Sequence, residues 1–182
     1  MWSCVEVETA RLTLRPWSDE HLGALAVINA DPEVTRYLGG RPFGPAESAA
    51  LSERLVAHWE RYGYGLWAVV ERGSGETLGF AGLSHPVFIP ELAGEVEVGW
   101  RLDRGAWGKG YATEAGVEAI RWAFGELGLA RVVAIIDPDN AASLAVARKL
   151  GLAPSGRVVH PERGTPLELF ERGQRSHPPE GG

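Results

Sequence analysis

The sequence predicts a single domain of the α/β (α+β) class, built on a mixed, mostly antiparallel sheet of about seven strands with about four flanking helices. Three observations support this prediction. The chain has 182 residues, a length that suits one domain. Strand-like alternation and helix-like periodicity follow one another in the order β-α-α-β-β-β-α-β-α-β-β. Only the two strands that flank the helix at about residues 111–127 resemble a crossover unit, which requires parallel pairing.

The first third of the chain predicts one strand and two helices. Residues 11–15 alternate between polar and apolar side chains, and Pro16 ends this strand. Ser18 is a typical N-cap for a helix that extends to about residue 30. A second helix begins near Pro45, because apolar residues then recur at the four-residue spacing of one helix face.

The middle of the chain predicts three strands. The strands at 66–71 and 78–84 are separated by a Gly-Ser-Gly segment, which has the composition of a hairpin turn. The next strand, 95–102, alternates cleanly, so its side chains divide between the two faces of the sheet. One face carries Val96, Val98, Trp100 and Leu102, and the other carries Glu95, Glu97, Gly99 and Arg101.

The last third predicts two helices that alternate with strands. A helix at about 111–127 carries a stripe of small residues suited to close packing on a sheet. The continuous apolar run 131–136 is typical of a strand buried on both faces. Asn140 is expected to cap a helix that ends at about residue 150. Two final strands are expected at about 152–160 and 167–172.

The composition excludes several classes of protein. A net charge of -6 argues against a nucleic-acid-binding surface, and Cys4, the single cysteine, excludes a disulfide framework. No apolar run approaches the roughly 20 residues of a membrane span, and the N-terminus lacks a signal-peptide pattern. The histidines show no metal-ligand spacing. We therefore expect a cytoplasmic domain over residues 1–172, monomeric or homodimeric and without metal, membrane or nucleic-acid partners, followed by a flexible tail at 173–182.

The segment most informative about chemistry is 97–114, EVGWRLDRGAWGKGYATE, in which a strand, a glycine-rich loop and a helix N-terminus follow one another directly. The backbone N–H groups of such a loop and the helix dipole form a phosphate site that needs few side-chain charges. Gly108 and Gly110 allow close backbone approach and positive φ. The alternative interpretation is that these glycines only form a tight turn. The Walker and G-x-G-x-x-G patterns are both absent.

Three segments resemble one known family. Residues 107–112, WGKGYA, resemble the acetyl-CoA-binding loop of the GNAT N-acetyltransferase superfamily, usually written Q/R-x-x-G-x-G/A, with Trp107 in place of Gln or Arg. Residues 8–15, ETARLTLR, resemble the first strand of the branch that contains the ribosomal-protein N-terminal (alanine/serine) acetyltransferases. Asn140-x-x-Ser143, followed by residues 149–152, KLGL, resembles the same branch. The resemblance covers about residues 8–170.

The resemblance implies a GNAT-like sheet that is splayed at its central strands and binds acetyl-CoA as co-substrate, without a metal. The backbone of 108–113 would hold the pyrophosphate, the strand end at 100–102 would pair with the pantetheine arm, and Asn140 would contact that arm from the other side. The residues implied in coenzyme binding are Trp100, Arg101, Leu102, Gly108, Lys109, Gly110, Tyr111, Ala112, Thr113 and Asn140.

The implied reaction is direct attack by an amine on the acetyl thioester. Glu97 is the candidate general base because a protonated amine cannot attack, and Glu95 is the reserve on the same face. Many relatives have a tyrosine acid where this chain has Ala147, and Ser143 is the substitute that the branch suggests. The alternative interpretation makes Glu97 an ordinary solvated strand residue and Ser143 an ordinary residue of a first helical turn.

The sequence leaves the identity of the acceptor substrate open. A primary amine of a protein N-terminus is one candidate, and a small molecule such as a polyamine, an antibiotic or an amino acid is another. Glu91, Glu95 and Glu97 would suit a cationic amine. Two further classes are a non-catalytic acyl-CoA-binding module and a phosphate-binding protein unrelated to coenzyme A.

Overall fold

The centre of the molecule is one sheet of eight strands, seen in a computed structural model that describes residues 6–174. Its strands are β1 (Val7–Glu8), β2 (Leu12–Pro16), β3 (Leu66–Glu71), β4 (Thr77–Ser84), β5 (Glu97–Leu102), β6 (Arg131–Ile136), β7 (Ala153–Val159) and β8 (Pro166–Gly173). Five helices accompany them: α1 (Leu22–Ala30), α2 (Pro32–Thr35), α3 (Pro45–Tyr62), α4 (Tyr111–Gly125) and α5 (Ala141–Lys149). The strand order in the sheet is β1-β2-β3-β4-β5-β6-β8-β7.

The predicted fold class is confirmed, because neighbouring strands pair antiparallel everywhere except at β5 and β6. The structure has one more strand and one more helix than predicted. The two residues of β1 and the four of α2 are too short to show a period in the sequence. β5 begins at Glu97, two residues later than predicted, and α4 ends at Gly125 instead of about residue 127.

Helices cover both faces of the sheet. On one face, Trp17 packs on Phe80 of β4 and donates from Nε1 to Ser52 Oγ of α3 at 2.9 Å. On the other face, Trp67 of β3 packs edge-to-face on Trp122 of α4. Side chains one residue apart on a strand point to opposite faces, so these contacts also assign the faces of β5. The β5 residues that pair with Phe80 and its same-face neighbours point toward α3.

The sheet is splayed between β5 and β6, as the family resemblance implies. Their pairing consists of one residue pair, Glu97 with Val133, beside which the Val133 N–H donates to the Val96 carbonyl at 2.9 Å. Past this pair the two strands diverge, and β6 continues its pairing with β8 on its other edge. The result is an opening between β5 and β6 whose closed end lies at Glu97.

The C-terminal strand extends slightly beyond the predicted domain boundary. β8 runs to Gly173, and the Gln174 N–H donates to the Ala130 carbonyl at 2.8 Å. Cys4, near the N-terminus, lies outside the described residues. Residues 175–182, the remainder of the predicted C-terminal tail, also lie outside them. Within residues 6–174, no helix is long and apolar enough to cross a membrane. The same part of the chain contains no group of three or more His, Cys, Asp or Glu residues arranged to hold a metal ion.

Candidate active site

Glu97 lies at the closed end of the opening, where it is half-buried. Burial raises the pKa of its carboxyl group to about 7, although a hydrogen bond from the Ile135 backbone opposes this effect. Ile135 belongs to the part of β6 that has diverged from β5, so its amide is near the carboxylate rather than in a ladder with β5. A carboxyl group that titrates near neutral pH can accept a proton from an ammonium group and release it again.

Glu95, the predicted reserve base, is committed to an ion pair. Its Oε1 lies 2.5 Å from Arg131 Nη2, and its Oε2 accepts from Arg131 Nε at 3.1 Å. Arg131 also contacts Glu171 on β8 at 3.3 Å. This bridge ties the segment before β5 to the edge of β6, which is a structural use of the carboxylate.

Trp100 and Ser143 connect β5 to the start of α5 across the opening. The Trp100 Nε1 group donates to Ser143 Oγ at 3.3 Å. The Ser143 N–H donates to Asn140 Oδ1 at 3.0 Å, so Asn140 is the N-cap of α5, as predicted. Ala147 is fully buried one turn further along α5. Ser143, and not the residue at position 147, therefore supplies a hydroxyl group in this region.

Alternate residues of β5 direct their backbone N–H and C=O groups toward the opening. The Asp103 N–H donates to the Leu78 carbonyl at 2.7 Å, and alternation along an antiparallel ladder then directs the Arg101 backbone toward Phe80 of β4. Trp100 and Leu102 turn their backbone groups the other way, toward the opening. The Leu102 carbonyl accepts a hydrogen bond from Trp107 Nε1 at 2.9 Å.

The glycine-rich loop has the backbone conformation that its sequence predicts. Gly108 and Gly110 have φ angles of 74° and 86°, in the left-handed region that favours glycine, and Gly110 directly precedes α4. No atom lies within 4 Å of the position that a Cβ would occupy on Gly108. Tyr111 differs from its neighbours because its side chain is buried and its hydroxyl donates to Glu71. Its side chain is therefore part of the core.

A polar clamp, formed by Thr9, Arg11 and Glu114, joins the N-terminal segment to this loop. Glu114 accepts from Thr9 Oγ1 at 2.5 Å, from the Arg11 N–H at 2.9 Å and from Arg11 Nε at 2.8 Å. Arg11 Nη1 donates to the Lys109 carbonyl at 2.8 Å, and its guanidinium also lies over the Tyr111 ring. The clamp therefore connects two segments that were each singled out by their resemblance to the same family branch.

The Arg101 side chain lies on the face of the sheet that carries Glu97. Its Nη1 donates to Asn29 Oδ1 of α1 at 2.8 Å, and its guanidinium lies between the rings of Phe43 and Phe80 at 5.3 and 5.1 Å. Burial lowers its pKa to about 10, with a smaller effect from the nearby charge of Arg54. The family resemblance implied that the Arg101 backbone pairs with the pantetheine arm, whereas the structure directs that backbone toward β4. No sequence pattern indicated a role for the side chain, because its neighbours come from three distant segments.

A network of histidine and tyrosine side chains lies beside the closed end of the opening. His85 follows Ser84, the cross-strand partner of Glu97. His85 Nδ1 donates to the Glu95 carbonyl at 3.0 Å, and its Nε2 is hydrogen-bonded to the Tyr64 hydroxyl at 2.9 Å. His58 Nδ1 donates to the Tyr64 carbonyl at 2.9 Å, and burial lowers the pKa of His58. Tyr64 and His85 are 21 positions apart along the chain, and His58 and His85 are 27 positions apart. No local pattern in the sequence therefore indicates these contacts.

Comparisons with known proteins agree with this geometry. Residues 11–153 match the acetyltransferase (GNAT) domain family. The uncharacterised N-acetyltransferase p20 of Bacillus licheniformis is 30% identical over 165 residues, which are 89% of this chain and 91% of that protein. The acetyltransferase of Agrobacterium tumefaciens str. C58 superposes with a TM-score of 0.80 at 30% identity, covering 93% of this chain and 94% of that one.

A ribosomal-protein acetyltransferase also shares the fold. RimL, a ribosomal L7/L12 alpha-N-protein acetyltransferase solved in complex with coenzyme A, has a TM-score of 0.74 at 18% identity, covering 92% of this chain and 97% of that one. The chain therefore belongs to the GNAT acetyltransferase family, as the loop motif predicts. It is an enzyme, an N-acetyltransferase, and acetyl-CoA is the acetyl donor that this family uses.

Proposed function

We propose that this protein transfers the acetyl group of acetyl-CoA to a primary amine by direct attack, with Glu97 as the general base. The observation that carries the proposal is the position of Glu97 at the closed end of the opening, together with the rise of its pKa to about 7 on burial. An ionised carboxylate at neutral pH can then deprotonate an ammonium group, which is required before the nitrogen can attack.

The residues around the opening fit coenzyme A. Backbone N–H groups between Gly108 and Thr113 would hold the pyrophosphate at the N-terminus of α4, where the helix dipole favours negative charge. Trp100 and Leu102, whose backbone groups face the opening, would pair with the amides of the pantetheine arm. Lys109 and Ala112 would contribute backbone contacts in the same loop. Asn140 would contact the pantetheine arm from the α5 side while it caps that helix.

The bound coenzyme supplies an acetyl group activated as a thioester. The amine nitrogen forms a bond to the acetyl carbon as the bond from that carbon to sulfur breaks. Glu97 accepts the proton that the ammonium group loses before the attack. The second proton, which the nitrogen loses as the amide forms, passes to the departing sulfur, and coenzyme A leaves as its thiol. Ser143, whose hydroxyl already accepts a bond from Trp100, can donate to the departing sulfur. Because a coenzyme A thiolate is a good leaving group, we assign Ser143 a smaller role than Glu97.

Acetyl transfer is tested by incubating the purified protein with acetyl-CoA and a panel of amines, and measuring free thiol release and acceptor mass. We expect a mass increase of one acetyl group on at least one acceptor, matched by thiol release. Coenzyme A binding without transfer to any acceptor would instead support a non-catalytic acyl-CoA-binding module. A nucleotide without the pantetheine arm serves as a control, and it should raise the melting temperature less than coenzyme A does.

The Ser143→Ala variant tests the assignment of the acid. We expect kcat to fall by less than about fivefold, because loss of one neutral hydrogen bond contributes about 1 kcal/mol. Steady-state kinetics at saturating acetyl-CoA measure this effect. A loss of about a hundredfold or more would contradict the minor role and make Ser143 the required acid.

Acceptor candidates include the protein N-terminal amine that RimL's name specifies and small amines. Both classes present a primary amine to the same carboxylate, so the reaction proposed here is common to them. Glu95 forms an ion pair with Arg131, whereas Glu97 has no ion pair within residues 6–174. The site is therefore less anionic than the run of glutamates in the sequence suggests.

A further inference from the structure

Arg101 holds a positive charge that no carboxylate of residues 6–174 balances. Within the same residues, the guanidinium donates one hydrogen bond, to the uncharged Asn29 amide, although it carries five N–H donors. The charge that affects its pKa is that of Arg54, which has the same sign. A half-buried guanidinium with spare donors and no counter-ion can bind a carboxylate or a phosphate.

The guanidinium is held in a fixed orientation. Asn29 is fully buried, and its Nδ2 donates to Ser48 Oγ at 3.2 Å, which turns its Oδ1 toward Arg101. The Phe43 and Phe80 rings confine the guanidinium from two sides. The Phe43 N–H in turn donates to the Asn29 carbonyl at 2.9 Å, so the aromatic ring and the amide are fixed together. This arrangement resembles a prepared binding group more than a mobile surface arginine.

One glycine position separates Arg101 from Glu97 on their shared face of β5. The two side chains share a strand face four residues apart, so their Cα atoms are about 13 Å apart. Gly99 lies between them and pairs with Gly82 on β4. A Cβ added to Gly99 would meet one atom, Leu66 Cδ2, and that atom is 4.0 Å away. The strand backbone at Gly99 is therefore not closely covered by another side chain, which leaves room there for part of an acceptor.

We propose that the acceptor of this enzyme is an amine that also carries an oxyanion group, a carboxylate or a phosphate, which Arg101 binds while the amine lies at Glu97. The inference rests on the proposed function, because it names the acceptor class of the same site. The chain between the two groups crosses Gly99. Acetylation forms the amide at the nitrogen, and the oxyanion is unchanged. A polyamine is disfavoured because it would bring another positive charge to Arg101 and Arg54.

Matched acceptor pairs test this proposal. We compare γ-aminobutyrate, ε-aminocaproate and lysine with their carboxamides, and phosphoethanolamine with ethanolamine, which separates carboxylate from phosphate recognition. For at least one pair, kcat/KM should be at least about tenfold higher for the anionic member, as one charge-assisted hydrogen-bonded contact allows. Wild-type turnover with no preference for the anion in any pair would overturn the proposal.

Variants separate anion binding from a structural role. In Arg101→Met, a side chain of similar length stays between the phenylalanine rings, and the ratio within the preferred pair should fall to about one. Arg101→Lys should retain part of the preference for the anionic acceptor. Arg54→Gln is the matched control, because it removes a nearby charge that is exposed, and the ratio should persist. Gly99→Val should raise the KM of the acceptor and leave the coenzyme A Kd unchanged. A ratio unaffected by Arg101→Met would overturn the proposal.

Calorimetric titration of the same acceptors into the protein saturated with coenzyme A gives a readout that does not need turnover. Anion-dependent binding without acetyl transfer would support the acceptor site and contradict the proposed function. Transfer without anion dependence would support the proposed function and contradict the acceptor site. If no member of any pair either binds or reacts, the acceptor class proposed here is wrong, and coenzyme A binding then tests the rest of the site separately.

Discussion

Replacing Glu97 with Gln should lower kcat by about a hundredfold or more, the range expected when a general base is removed. The amide has nearly the same shape as the carboxyl group, so it can keep the contacts at the closed end of the opening. It cannot accept the proton of the amine. The coenzyme A Kd should change little, because the proposed coenzyme contacts lie on the loop and on the later residues of β5.

The pH dependence of activity and of stability gives a second test of Glu97→Gln. Because burial raises the pKa of Glu97 to about 7, activity of the wild-type enzyme should fall as pH drops below 7 and the base becomes protonated. The variant should lack this limb. A raised carboxyl pKa also means that the folded state prefers the neutral form, so this preference contributes stability at low pH that is lost as pH rises through 7. The melting temperature of the variant relative to wild type should therefore increase between pH 5 and pH 8.

Glu95→Gln is the matched control for this experiment. It lies two residues before Glu97, in the segment that leads into β5, and its carboxylate is bound by Arg131. We expect the variant to lose some stability and to keep both its pH limb and most of its activity. If Glu97→Gln remained fully active with an unchanged pH profile, direct base catalysis by Glu97 would be wrong. Loss of the limb in Glu95→Gln instead would make Glu95 the base.

Sequence patterns predicted the fold and the loop because these depend on local spacing. Alternation located most of the strands, and Gly108 and Gly110 adopt the positive φ that their position before a helix indicates. The family resemblance made Glu97 the candidate base, but its raised pKa needed tertiary information, since it arises from burial where two strands diverge. Arg101 shows the same limit more clearly. Its face follows from alternation, whereas its partners Asn29 and Phe43 lie far away in the sequence.

The N-terminal motif gains a physical explanation from the structure. In the sequence, residues 8–15 resembled a family branch with no evident link to chemistry. In the fold, the turn between β1 and β2 brings Thr9 and Arg11 to the first turn of α4, where Glu114 accepts hydrogen bonds from both. The Arg11 guanidinium then reaches the Lys109 carbonyl in the glycine-rich loop. One motif therefore supports the other, although they are about a hundred residues apart.

Glu114→Ala should weaken both the fold and coenzyme A binding. Removing a carboxylate that accepts several charge-assisted hydrogen bonds should lower the free energy of unfolding by about 2–3 kcal/mol. Arg11 would lose the partner that directs it to the Lys109 carbonyl, so the loop would bind phosphate less well. We expect the coenzyme A Kd to rise about thirtyfold, or about 2 kcal/mol. Calorimetry for the Kd and chemical denaturation for stability measure the two effects separately.

Acidification should reproduce part of this effect in the wild-type protein. Burial by itself would raise the pKa of Glu114, but hydrogen bonds from Thr9 and Arg11 outweigh it and hold the pKa below its usual value. The stabilisation is therefore present above the ordinary carboxyl pKa of about 4.3 and is lost as pH falls through the lower value of the folded state. Glu114→Ala should reduce the acid sensitivity of folding in that range.

Glu118→Ala is the matched control for the clamp. It removes another carboxylate from the same helix, one that pairs with Arg121 at 2.7 Å on the exposed surface. Exposed ion pairs contribute little, so stability should change by less than about 1 kcal/mol, and the coenzyme A Kd should stay unchanged. If Glu114→Ala lowered stability but left the Kd at the wild-type value, the clamp would serve the fold alone. Because Arg11 bonds directly to the loop carbonyl, we expect the two effects to appear together.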